Sequence, residues 1–198
     1  MFLEQFQVQF LNNMWLEKSL FTFLVSILLY SILFIYLKKS QYNLKRIFYI
    51  TLLYFYGVIV FHITILPLPL DEIGVEALQM SSSNNHYVNL IPFIDFLQMG
   101  KFSFIRQVIG NIVMFVPLGF LLPLSFKKCE NVKNLIKYSF STSLTIELLQ
   151  LIICIFLIKA PYRVWDINDL LLNSFGSLLG YVLYHNIFKV VFSKTDQC

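Results

Sequence analysis

Apolar residues run along this chain in long blocks, rather than in the alternation of a strand or the single stripe of a surface helix, and short clusters of Lys, Arg and Pro separate the blocks. The blocks are Ser19 to Leu37, Ile47 to Leu66, Val108 to Phe126, Leu135 to Ile158, and about Asp169 to Phe192. Each holds roughly 19 to 24 residues, which at about 1.5 Å rise per residue suits a hydrocarbon core about 30 Å thick. Ahead of them, Phe2, Phe6, Phe10 and Met14 recur at fourfold spacing between Glu4, Gln5, Gln7, Gln9, Asn12 and Asn13, which predicts an amphipathic interfacial helix over Met1 to Lys18. No basic run precedes the first block and no small-residue cleavage site follows it, so it reads as a retained span. The pattern predicts an all-α polytopic membrane protein: one domain over residues 1–198, about five transmembrane helices and an N-terminal interfacial helix.

Charge orients those helices. Lys38, Lys39, Lys45 and Arg46 follow the first block, and Lys127, Lys128, Lys133 and Lys137 follow the third. Short basic loops stay on the cytoplasmic side, so both are inside if the N-terminus is outside and the C-terminus, with Lys189 and Lys194, is cytoplasmic. The segment 67–107, with Asp71, Glu72, Glu76 and Asp95 against Lys101 and Arg106, then forms an outer loop. Pro117 removes a hydrogen bond inside the third span and predicts a kink there.

Composition sharpens the class. Hydrophobic residues make up 58% of the 198 and charged residues 13%, against about 25% charged in an ordinary soluble domain. The net charge of +4 sits mainly in the basic loops, and nothing in the chain supports nucleic-acid binding. Cys129, Cys154 and Cys198 have no paired or metal-ligand spacing, so neither a disulfide framework nor a metal site is expected, and no cofactor is implied.

One apolar block carries chemistry. RVWDINDLLLNSFGSLLGY, Arg163 to Tyr181, places Asp166, Asp169, Asn173, Gly176 and Gly180 at a 3,4,3,4 spacing, on one helix face. In the fourth span Ser143, Glu147, Gln150 and Cys154 share a face by the same reasoning, and the third span brings Asn111. Counting back from Ile158, Gln150 lies roughly 12 Å and Glu147 roughly 16 Å below the outer boundary. A charged residue at that depth costs at least about 2.5–3.5 kcal/mol unless it faces protein, water or a counter-charge. Arg106 and Arg163 are the arginines on that side, and a planar guanidinium suits a carboxylate. The reading is an outward-facing polar site with Arg163 and Asp166 at its mouth, Asp169 and Asn173 along its wall, and Glu147 and Gln150 as its floor. His62 and His86 are candidates to join it or to carry a proton, His185 reads as interfacial, and Gly176 and Gly180 read as helix-packing residues.

Four blocks, NLIPF at Asn89 to Phe93, GNIVMFVPLGFLLP at Gly110 to Pro123, SLTIELLQ at Ser143 to Gln150 and the Arg163 to Tyr181 stretch, together resemble the VanZ-like family of small membrane proteins. By position, the family's polar signature falls on Asn89, Pro92, Arg106, Asn111, Glu147, Gln150, Arg163, Asp166, Asp169 and Asn173. The chain departs from the pattern at Tyr162, where Gly often precedes the arginine, and at Asn168, where an acid often precedes the second aspartate. The resemblance implies a multi-pass protein of the bacterial plasma membrane that lowers sensitivity to teicoplanin-type lipidated glycopeptides. It supplies no reaction.

Three functions therefore compete. In the first, the polar site binds a membrane lipid, a lipid-linked cell-wall precursor or the lipoglycopeptide itself. In the second, Glu147 or Asp169 is a catalytic acid or base on a lipid-linked substrate. The chain has no Gly-rich phosphate loop, HExxH pair or recognisable Ser or Cys triad to name that chemistry. In the third, the polar residues only hold a helix bundle together or dock a partner.

Overall fold

The computed structural model of the chain describes residues 20–66, 68–69, 72–82, 86–93, 96 and 99–189. The interfacial helix expected over Met1 to Lys18, Asp71, Asp95, Lys194 and Cys198 lie outside the described residues. Within them the order is α1 (Leu20–Lys39), α2 (Leu44–Thr64), α3 (Glu72–Ser81), β1 (Val88–Asn89), α4 (Lys101–Ser125), a 3₁₀ turn (Lys127–Glu130), α5 (Val132–Ile152), a π turn (Ile153–Ile158), β2 (Trp165–Asp166), α6 (Ile167–Leu183) and a second π turn (Tyr184–Lys189).

Local signals account for the ends. Lys38 and Lys39 close α1, where cations complement the helix dipole. Asn43 caps α2 by accepting the Arg46 N–H at 2.9 Å, and Asn131 caps α5 by accepting the Lys133 N–H at 2.9 Å. α4 starts at Lys101 rather than Val108, because Phe102, Phe104 and Ile105 extend its apolar pattern into the segment read as outer loop, and that segment also contains α3. The helix continues through Pro117 and Pro123. α6 starts at Ile167, slightly ahead of the expected Asp169, because Asp166 is its cap.

Four helices among the described residues are long and apolar enough to cross a membrane: Thr22–Lys39, Leu44–Thr64, Lys101–Ser125 and Val132–Ile158. α6 is not one of them, since Asn168, Asp169 and Asn173 crowd its first two turns. Phe23, Ile35, Ile59, Val113 and Phe156 are among many large apolar side chains left exposed. A surface of that kind suits hydrocarbon rather than water, and the described residues are those of an all-α membrane protein with one short strand pair.

The centre of the bundle is the α4–α6 pair. A Cβ on Gly119 would overlap the backbone of Ser177, one on Gly176 the carbonyl of Ile112, and one on Gly180 the carbonyl of Val116. Only hydrogen atoms fit between the two backbones at these points, which is how small residues bring membrane helices together. Gly176 and Gly180 are thus packing residues, as their spacing suggests. α5 lies against the same pair, with the hydroxyls of Ser139 and Ser177 bonded across the interface and Phe115, Leu118, Leu122, Cys129 and Leu135 in the core. Tyr56 joins α2 to α4 by donating to the Met114 carbonyl at 2.8 Å. α1 is joined to α2 by the Tyr54 hydroxyl on the Ser26 carbonyl at 2.6 Å and by a cluster of Leu37, Ile47 and Ile50.

Candidate functional site

The site is assembled by the connection between α5 and α6. α5 widens into its π turn and stops at Lys159, whose φ of 58° is left-handed. Pro161 follows and cannot extend a helix. The chain reverses, with the Cys154 thiol on the Arg163 carbonyl at 3.2 Å, and then runs parallel to the distant segment of β1, Val88 opposite Trp165 and Asn89 opposite Asp166. The Trp165 N–H adds a bond to the Tyr87 carbonyl at 2.9 Å.

Asp166 sits where the strand becomes the helix. Its Oδ1 accepts the backbone N–H and the side-chain amide of Asn168, both at 2.9 Å, and the Asn89 amide at 3.4 Å, while its Oδ2 accepts from Gln107 at 3.1 Å. Asn168, fully buried, uses its carbonyl oxygen to accept the Phe93 N–H at 2.9 Å. Phe93 has a φ of 64°, a conformation that bulky residues rarely adopt. The cap of α6 and the NLIPF segment are therefore tied into one network.

One turn on, Asp169 accepts from Gln107 at 3.3 Å and from Asn111 at 2.5 Å. Asn173 donates to Ser143 at 2.8 Å, and its carbonyl oxygen is buried with no partner. From α5, Glu147 accepts the Asp166 N–H at 3.4 Å, and Gln150 donates to the Thr64 carbonyl at 2.8 Å.

These groups border one open cleft of about 990 Å³. Arg106, Asn111, Glu147, Gln150, Arg163, Asp169 and Asn173 all line it, beside Gln107 and, from α2, Tyr56, Val60 and Thr64. Two predicted residues do not. Asn89 and Asp166 lie in the strand pair, and Asp166 is 5% exposed, behind the lining instead of at the mouth. The reason is local: a carboxylate that caps a helix must turn toward its N–H groups.

The counter-charges also differ from expectation. The hydrogen-bond donors to Asp166 and Asp169 are amides and backbone N–H groups. Arg106 is exposed, and Arg163, half-buried, has its guanidinium 5.8 Å from the centroid of the Tyr162 ring. Both arginines line the cleft. His62 is bonded to the Val58 carbonyl of its own helix at 2.8 Å and His86 is exposed; neither lines the cleft. Among the described residues, no group of three His, Cys, Asp or Glu converges to hold a metal ion.

Sequence reasoning missed Gln107 and Asn168. Gln107 precedes Asn111 by four, the spacing of neighbours on one helix face, and that signal was available. For the Asn168 oxygen there was none, because the Phe93 N–H that it accepts comes from a segment far away in the chain.

Comparison with known proteins follows the same residues. The VanZ/LLP1 family model matches residues 53–189. A protein of Enterococcus faecium, described as Protein VanZ, is 33% identical over 124 residues, covering 62% of this chain and 67% of that protein. No solved structure matches.

Proposed function

The chain belongs to the VanZ/LLP1 family, and from that premise we propose that it is a multi-pass protein of the bacterial plasma membrane whose cleft faces outward and binds a lipid, a lipid-linked envelope molecule or a lipidated glycopeptide. By that binding it lowers sensitivity to teicoplanin-type antibiotics. α6 and its π turn serve as a fifth span, and the two basic loops, at Lys38 to Arg46 and Lys127 to Lys137, face the cytoplasm. The N-terminus and the cleft are then outside.

The observation that carries this reading is the composition of the cleft wall. Two arginines, two acids and the amide residues Gln107, Asn111, Gln150 and Asn173 border one open space in an otherwise apolar body. Arg106 and Arg163, with no carboxylate among their described hydrogen-bond partners, supply the charge for an anionic group. Purified protein titrated with teicoplanin and with envelope lipids is expected to bind one of them at micromolar concentration, and Arg163→Ala to weaken that binding. Absence of binding to every one, or binding unchanged in Arg163→Ala, refutes the reading.

A second reading, catalysis, is favoured by one observation. Glu147 lines the cleft with a single long bond, 3.4 Å from the Asp166 nitrogen, so its carboxyl group retains capacity to exchange a proton with a ligand. Incubation with total envelope lipids, followed by mass analysis, tests it. A product that vanishes in Glu147→Gln supports turnover.

A further inference from the structure

The far end of α4 carries a second cavity, of about 490 Å³, bounded by Arg46, Lys127, Lys128, Tyr138, Leu122 and Phe126 among others. It lies roughly 30 Å along α4 from Arg106, counting about 1.5 Å per residue to Phe126, and shares no lining residue with the cleft. Its volume falls within the range of about 300–1,000 Å³ usual for small-molecule sites.

Its charge is of one sign: three cationic side chains line it, with no carboxylate among the described lining residues. Arg46 is fixed in advance. Its Nε donates to the Ser125 carbonyl at 3.1 Å, and its guanidinium carbon lies 4.4 Å from the centroid of the Tyr42 ring. Anchored through Nε and by stacking, the guanidinium keeps its terminal N–H groups for a ligand, in the planar fork that matches two oxygens of one phosphate. Lys127 and Lys128 follow each other in the 3₁₀ turn and are exposed, so they add mobile point charges at the rim. Leu122 and Phe126 give the same cavity an apolar side, at the level where α4 leaves its apolar run.

We propose that this cavity holds the phosphate-ester headgroup of an anionic membrane lipid, with the phosphate on Arg46, Lys127 and Lys128 and the acyl chains along Leu122 and Phe126. Basic pockets between spanning helices, at the water boundary, are suited to such headgroups. The site is independent of whatever the cleft binds.

The test uses full-length protein incubated with mixed micelles of phosphatidylglycerol and phosphatidylcholine, with retained lipid identified by native mass spectrometry. Phosphatidylglycerol is expected to be retained over phosphatidylcholine. Lys127→Gln/Lys128→Gln, at two exposed positions, should weaken that retention about twenty-five-fold, from roughly fivefold per basic side chain. Lys133→Gln/Lys137→Gln removes the same charge outside the cavity and should change retention by less than about fivefold. Equal loss in the two variants, or equal retention of both lipids by the wild type, overturns the site in favour of general attraction to the basic end of the bundle. Millimolar inorganic phosphate separates the sources: retention that survives it supports a lipid headgroup, whereas full displacement overturns the lipid assignment and makes a soluble phosphate the occupant.

Discussion

Asn111 on α4 donates its side-chain amide to Asp169 on α6 at 2.5 Å, and Gln107, one turn earlier, reaches the same oxygen at 3.3 Å. One carboxylate therefore holds two amides across a helix interface. Asp169→Ala would leave both donors without it, at a cost of about 1–3 kcal/mol. The expected outcome is a lower melting temperature in detergent for Asp169→Ala. Asp169→Asn, which keeps an acceptor oxygen, should recover most of the loss. A melting temperature unchanged in Asp169→Ala would mean that the amides find other partners.

The glycines divide into two kinds, and alanine separates them. At Gly119, Gly176 and Gly180 an added methyl group meets the facing backbone, so each alanine should cost about 1–3 kcal/mol as the helices part. At Gly110 nothing lies within 4 Å of the added atom, and the better helix former should be neutral or stabilising by up to about 1 kcal/mol. Thermal unfolding monitored by size-exclusion chromatography reads the difference.

If the cleft is a binding site and not only a means of holding helices, Glu147→Gln and Arg163→Ala should separate activity from folding. Arg163 is half-buried and Glu147→Gln nearly preserves shape, so expression and melting temperature are expected near wild type while teicoplanin sensitivity of the host rises. Loss of folded protein in both variants would favour the purely structural role.

Single cysteines at Ser82 and Lys128, in a background without native thiols, should be labelled from outside by an impermeant reagent only at the first. Labelling only at Lys128 would move the cleft to the cytoplasmic side. Native Cys129 is 2% exposed and burial pushes its thiol up. It therefore carries less thiolate at a given pH than an exposed cysteine, and its own alkylation should be slow at neutral pH and quicken as pH rises.

Four of the five expected spans were legible in the sequence because a long apolar run needs no partner to be recognised, and Gly176 and Gly180 were legible because spacing alone puts them on one face. The site was legible as a set of residues but not as a set of bonds. Spacing says that Asp169 and Asn173 share a face; it does not say that amides, rather than Arg106 or Arg163, will meet Asp169. β1 and β2 were invisible, since two residues each give no periodicity, and their pairing joins segments far apart in the chain. That pairing is what takes Asn89 and Asp166 out of the cleft wall. The start of α4 was misjudged because Lys101 and Arg106 interrupt an apolar pattern that the helix nevertheless continues.

The close approach of α4 and α6 has a mechanical consequence. Where backbones touch through Gly119, Gly176 and Gly180 there are no side chains to change rotamer, so the two helices turn and shift only as one stiff plank. The polar wall from Gln107 to Asn173 is carried on that plank. α2, by contrast, is fastened across the space by two hydrogen bonds, Tyr56 to Met114 and Gln150 to Thr64; if the cleft binds as proposed, a guest too wide for the gap would have to break those two bonds.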